Sequence, residues 1–177
     1  SYGGVLYFRG KNVTLVDNVF INNTSYSAFG NSHGGAISIT EATGYCINCT
    51  FYNNTVNSFS SKYLISKMEP RSLGGAVRLN QTKFYFSNCT FINNTGFGIS
   101  TKNVSTGKGG AFYSITSNVK ITNCIFENNI LLNYGLSFNI NCYIEGGACY
   151  FLDSSIDICD CEFKNNTAML NASKDSI

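Results

Sequence analysis

The chain has no tryptophan, one proline (Pro70), one histidine (His33) and two methionines in 177 residues. Charged side chains make up 12%, about half the roughly 25% of an ordinary globular domain. Each scarcity excludes something. A lone histidine that precedes a glycine pair offers no base around which a Ser-His-Asp triad can be built. A net charge of +2 gives no electrostatic footprint for nucleic acid or an anionic membrane surface. No apolar run approaches the roughly 20 residues of a bilayer span, so membrane insertion is not expected. Helix formers are sparse. Facing carboxylates of the kind glycosidases need are also missing, and the one acidic group, Asp153, Asp157 and Asp160, reads as solvated face residues. No catalytic residue, metal ligand or cofactor-binding residue is therefore expected, and the chain reads as a non-enzyme.

What is abundant points elsewhere. There are 24 Asn, 17 Gly, 14 Phe and 11 Tyr, a composition suited to strands joined by Asn- and Gly-built turns. Eight cysteines suggest an oxidising compartment without defining a small disulfide scaffold. The length suits a single domain, 1–177. Opening directly on Ser1-Tyr2 and a first motif, the chain is expected to be a mature piece or a segment of something longer.

One pattern is written five times. Glycine pairs stand at Gly3-Gly4, Gly34-Gly35, Gly74-Gly75, Gly109-Gly110 and Gly146-Gly147, followed by Val5, Ala36, Ala76, Ala111 and Ala148. Sixteen residues after each second glycine comes a phenylalanine: Phe20, Phe51, Phe91, Phe126 and Phe163. Two residues beyond each Phe begins an asparagine pair, Asn22-Asn23, Asn53-Asn54, Asn93-Asn94, Asn128-Asn129 and Asn165-Asn166. Successive glycine pairs are 31, 40, 35 and 37 residues apart. A rung of constant perimeter must stack in register, whereas loops that leave the stack take any length. Apolar residues recur two residues after the second glycine (Leu6, Ile37, Val77, Phe112, Cys149) and eleven after it (Leu15, Cys46, Phe86, Ile121, Ile158). A polar column (Asp17, Asn48, Asn88, Asn123, Asp160) lies between them and the Phe and should face out. Alternation of period two with β-branched and aromatic residues argues for strands. The fold expected is an all-β, single-stranded right-handed parallel β-helix, a β-solenoid of five rungs that begin near 3, 34, 74, 109 and 146, with variable loops. Like residues would lie over like at about 4.8 Å, giving a rod roughly 24 Å long.

Gly-Gly-Ala-Ile at 34–37 and Gly-Gly-Ala-Val at 74–77, each paired downstream with Phe-x-x-Asn such as Phe51 to Asn54, resemble the repeats of polymorphic outer membrane proteins. Those are chlamydial surface adhesins with right-handed β-helical passengers, and similar repeats occur in protist surface proteins. The resemblance covers nearly the whole chain. It implies a cell-surface location and adhesion and carries over no catalytic residues. The sequence departs from that family in lacking a C-terminal membrane barrel, and its glycosylation signals suit a eukaryotic secretory route.

Asn-x-Ser/Thr occurs 11 times. Glycans are expected at one Asn of the corner pair (Asn22, Asn53, Asn93, Asn165) and at loop sites Asn12, Asn80, Asn103 and Asn171. The alternative is that all corner Asn are locked in amide ladders. Cys49, Cys89, Cys124 and Cys161 share one column, with Asn18 in the first rung, and read as a stack of buried thiols. Disulfides between rungs fit poorly there, because stacked side chains point the same way. Cys142, Cys149 and Cys159 lie outside the column and are the candidates for disulfides. Cys46-x-x-Cys49 has no partner motif for zinc or redox work. Tyr2, Tyr7, Tyr52 and Tyr113 are candidates for an adhesive surface.

No cap is expected at either end, and joining the tail to a following copy would give a spacing of 34, inside the observed range. The partners expected are thus copies of the chain itself, head to tail, with a cell-surface or matrix ligand possible through the loops. The functional expectation is an extracellular structural protein, a glycosylated rod that needs no cofactor and stacks into a fibril, filament or surface appendage. The alternatives are an adhesin passenger binding host or matrix ligands, and a polysaccharide lyase or hydrolase.

Overall fold

A computed structural model describes residues 1–28, 30–60, 70–101, 104–135 and 142–172, and among these the chain is built of strands with no helix. Among the described residues no helix is long and apolar enough to cross a membrane. Every strand pair is parallel, and the strands form four sheets that run the length of the rod. The long side is made of Leu6–Val16 and Ile37–Ile47, then of the pairs Val77–Asn80 with Lys83–Ser87, Phe112–Ile115 with Asn118–Thr122, and Cys149–Leu152 with Ser155–Cys159. The phenylalanine side is Val19–Ile21, Thr50–Tyr52, Thr90–Ile92, Ile125–Glu127 and Glu162–Lys164. A third side, entered after the Asn pair, contains Thr24–Ser27, Thr55–Ser60, Thr95–Ser100, Ile130–Gly135 and Thr167–Ala172. The return side is Ser32–His33, Arg71–Leu73, Ser105–Lys108 and Cys142–Glu145.

This is the solenoid the repeat predicts. Phe20, Phe51, Phe91, Phe126 and Phe163 are register partners in succession. Their rings stack face to face with centroids 4.9, 4.8, 4.5 and 4.9 Å apart. The columns headed by Leu6 and Leu15 also stack as expected. Among the described residues the return side has four strands and the phenylalanine side five, so the five rungs make fewer than five closed turns there.

The corners share one device. A residue with left-handed φ turns the chain at Gly34, Glu41, Asn48 and Asn53, and the homologous positions of later rungs repeat it. Short polar side chains and glycine tolerate that conformation best. The column of Asp17, Asn48, Asn88, Asn123 and Asp160 is therefore a corner as well as an outward face. The corner at Gly10, Glu41, Gln81, Thr116 and Asp153 was not foreseen, since its side chains share no chemistry.

The Gly-Gly corner has a further requirement. A Cβ on Gly35 would collide with the carbonyl oxygen of Gly75 in the next rung and with the backbone of Thr55. Gly75 meets Gly110 and Thr95 in the same way. Thr55 and Thr95 directly follow the Asn pairs, so the two halves of the repeat motif touch across the rod, which is why one does not occur without the other.

The cross-section has two compartments. Between the long side and the phenylalanine side lies the apolar core of stacked Phe, aliphatic residues, Ala36, Ala76 and Ala111, with Phe84, Phe86 and Phe112 packed among them. Between the third side and the return side the interior narrows and turns polar, with Ser25, Ser32, Ser58, Ser72, Ser100, Ser105 and Asn133 buried there around Val56 and Leu131. Core burial weakens at the far end, where Phe163 is 47% exposed and Phe126 is fully buried.

Candidate functional site

The asparagine corner divides its two residues between structure and surface. The second Asn of each pair turns in. Asn94 donates from Nδ2 to Asn129 Oδ1 at 3.0 Å and to the carbonyl of Phe51 at 2.9 Å, and its backbone N–H also reaches Asn129 Oδ1. Asn23, Asn54 and Asn129 likewise donate to the Oδ1 of the Asn one rung on. Asn54, Asn94 and Asn129 are fully buried, and each amide has both of its N–H donors and its oxygen engaged. Such a satisfied network is worth more than the sum of its bonds, and breaking one member strands several others.

The first Asn of each pair holds the left-handed φ, between 51° and 56° in all five rungs. It lies at the surface: Asn22, Asn53 and Asn165 are exposed, Asn93 and Asn128 half-buried. The glycosylation signals at Asn22, Asn53, Asn93 and Asn165 thus fall on outward side chains. Asn53 Nδ2 donates to Asn22 Oδ1 at 2.7 Å, so neighbouring rungs compete for the same space. Among the other sites, Asn12 and Asn171 are exposed and Asn80 is half-buried; Asn12 accepts a bond from Thr43 Oγ1 at 2.6 Å. Asn103 lies outside the described residues. Asn48 and Asn88 also carry signals and are exposed at the neighbouring corner.

The same arrangement recurs at two other corners with different chemistry. At Cys49, Cys89, Cys124 and Cys161 each thiol donates to the carbonyl two residues back, at 3.2 to 3.3 Å. Asn18 makes the equivalent bond to Val16 at 2.8 Å, which explains how an Asn stands in a cysteine column. The N–H groups of Cys89 and Cys124 reach the sulfur of the next rung at 3.4 Å. At the unforeseen corner, Thr82, Ser117 and Ser154 fill this position: Thr82 and Ser117 donate their N–H groups to the Oγ of the next rung at 3.0 and 3.1 Å.

All eight cysteines are free thiols. The expectation that Cys142, Cys149 and Cys159 pair is corrected. Cys142 sits on the return side over Ser105, Cys149 over Phe112 and Cys159 over Thr122, each on a different strand. Burial pushes the Cys149 and Cys142 thiols above their ordinary pKa. Tyr113 is a second correction. It is 5% exposed, because its ring stacks on Tyr150 at 5.9 Å, whereas Tyr2, Tyr7 and Tyr52 are exposed. The acidic residues do not converge: Asp153 and Asp160 occupy separate corners, and Asp157 pairs with Lys120 at 2.9 Å. Among the described residues no group of three His, Cys, Asp or Glu is placed to hold a metal.

Sequential parallel rungs, four sheets and stacked corner ladders define the class of the parallel β-solenoids. Within it the chain belongs to the right-handed β-helix family, whose model, described as a right-handed beta helix region, matches residues 1–176. No curated protein and no solved structure matches the chain.

Proposed function

We propose that the protein is an extracellular structural glycoprotein, a β-helical rod extended end to end by further rungs of its own kind into a fibre or surface appendage. The observation that carries this reading is the division of labour at the asparagine corner. The inner Asn maintains the stack, which leaves the outer Asn, with its recurring glycosylation signal, free for a sugar. A covalent glycan costs the fold nothing there, because the outer amide makes no bond that the core requires. Adjacent rungs stand about 4.8 Å apart, so occupancy on alternate rungs is the expected pattern. The resemblance to surface-adhesin repeats supports the location. Further rungs of this kind, from the same polypeptide or from another copy, would cover the half-exposed Phe163.

The test is intact-mass spectrometry of the native protein before and after enzymatic removal of N-glycans, with electron microscopy of the same material. Sugar on Asn22 or Asn53, and fibres one solenoid wide, are expected. Unmodified monomers that bind cells would favour an adhesin passenger instead, a reading favoured by exposed Tyr2, Tyr7, Tyr26, Tyr45 and Tyr52. Turnover of an acidic polysaccharide that is lost in Asp157→Asn would favour a lyase or hydrolase.

A further inference from the structure

Among the described residues Arg78 is a half-buried charge with little compensation. It belongs to the outward column Tyr7, Ser38, Arg78, Tyr113, Tyr150 of the long side, which alternates with the inward column of Leu6, Ile37 and Val77. Its side chain is half-buried with Nε fully enclosed, yet no carboxylate among the described residues pairs with it. Nη1 makes one long bond, to Thr40 Oγ1 at 3.3 Å, and the buried Nε has no partner. A desolvated guanidinium without a counter-charge is costly.

Two further unpartnered atoms lie in the same neighbourhood. Ser38, the register partner of Arg78 one rung earlier, is fully buried and its Oγ has no partner. Across the Gly-Gly corner, the Nδ1 of buried His33 has none either. Tyr2 lies over both sides of this corner. Its ring centre is 4.7 Å from that of His33, 5.3 Å from that of Tyr7 and 6.0 Å from the Arg78 guanidinium carbon. One rung on, a groove is lined by Arg71, Lys108, Tyr113, Tyr143 and Glu145, and there Glu145 pairs with Lys108 at 2.7 Å. His33 is held well below its ordinary pKa, at about 3, first by burial and then by Arg78, the N-terminus and Arg71, which marks the surroundings as cationic.

We propose that this corner is an oxyanion site, in which Arg78 and Ser38 donate to a carboxylate or sulfate while Tyr2 and Tyr7 offer ring faces to the group that bears it. An anion there would supply the missing counter-charge and convert idle donors into charge-assisted hydrogen bonds. Aromatic faces beside a guanidinium suit the ring of an acidic sugar, and a free inorganic anion shares the same chemistry. The inference stands on these contacts and does not depend on fibre formation.

The experiment is a nitrogen-15 NMR titration of the whole chain with sodium acetate, sulfate and glucuronate, each against chloride at equal ionic strength. The resonances followed are the arginine Nε–H groups and the His33 ring. A saturable shift of the Arg78 Nε–H is expected, together with a rise in the His33 pKa, both absent in Arg78→Met. That variant removes an uncompensated half-buried charge and should remain folded; Ser38→Ala retains the cation and should weaken saturation several-fold. Saturation by glucuronate at a concentration at least ten-fold below acetate identifies an acidic sugar as the occupant. Equal saturation by all three identifies a free oxyanion. Shifts that do not saturate beyond chloride, or that persist in Arg78→Met, overturn the proposal.

Discussion

The half of each rung that runs from the glycine pair to the asparagine pair and the half that returns are held by different physics. The first half has the same length in all five rungs, and buried Phe, aliphatic and Cys columns fill it. The second half varies in length and encloses serines, glycines and Asn133. There Gly98 lies where a Cβ would strike the Asn133 amide, so the walls approach too closely for large side chains. Transfer of apolar area stabilises the first half. The second is held mainly by its backbone ladders, with few side-chain contributions to lose. A solenoid can thus tolerate loops of any length on one half only if the other supplies the register.

The comparison can be broken most directly at Phe91, which is fully buried and stacked on both neighbours. Phe91→Ala is expected to lower the unfolding free energy by about 4 kcal/mol, read from the urea midpoint. Next is Asn94→Leu, which leaves the Phe51 carbonyl without its side-chain donor and the Asn54 amide without its acceptor. A loss of about 3 kcal/mol is expected, against under about 1 kcal/mol for Asn93→Ala, whose side chain faces out and whose main role is a left-handed φ. Equal losses at the two positions would refute the division of labour at this corner.

The return half should respond to acid. The folded-state pKa of His33 is about 3, lowered from 6.5. Below pH 6.5 the unfolded chain therefore binds a proton that the folded chain refuses. Stability from this residue is complete above 6.5, declines by up to ~1.4 kcal/mol per pH unit below it, and levels off near pH 3. Urea midpoints at pH 7, 5 and 4 should fall more steeply in wild type than in His33→Phe, and parallel declines would show that the slope has another source. The smallest effect belongs to Ser58→Ala. The buried Ser58 Oγ has no partner, so its removal should change stability by less than about 0.5 kcal/mol or raise it slightly.

How legible each part was in the sequence follows from what its side chains do. At the Asn pair and at Cys49, Cys89, Cys124 and Cys161, the ladder needs one particular amide or a small thiol, and recurrence exposed both. At Glu41, Gln81, Thr116 and Asp153 the turn is a backbone event. The adjacent Thr82, Ser117 and Ser154 carry the ladder with hydroxyls, which are too common to stand out in a Ser- and Thr-rich chain. Tyr113 was misplaced because an outward position on a strand does not by itself mean exposure when Tyr150 lies over it.

Local chemistry alone determined the solenoid: glycines where no Cβ fits, a phenylalanine sixteen residues on, and an asparagine pair after it. Such a repeat has one economical solution, to bury each rung's face on its own copy. Tertiary structure decided what the repeat leaves open. Which Asn turns inward, which thiols stay apart and which cation goes unpaired depend on residues brought side by side from successive rungs. Arg78 lies beside Ser38 and acts electrostatically on His33 across 40 and 45 positions of chain, a distance over which no local pattern carries information.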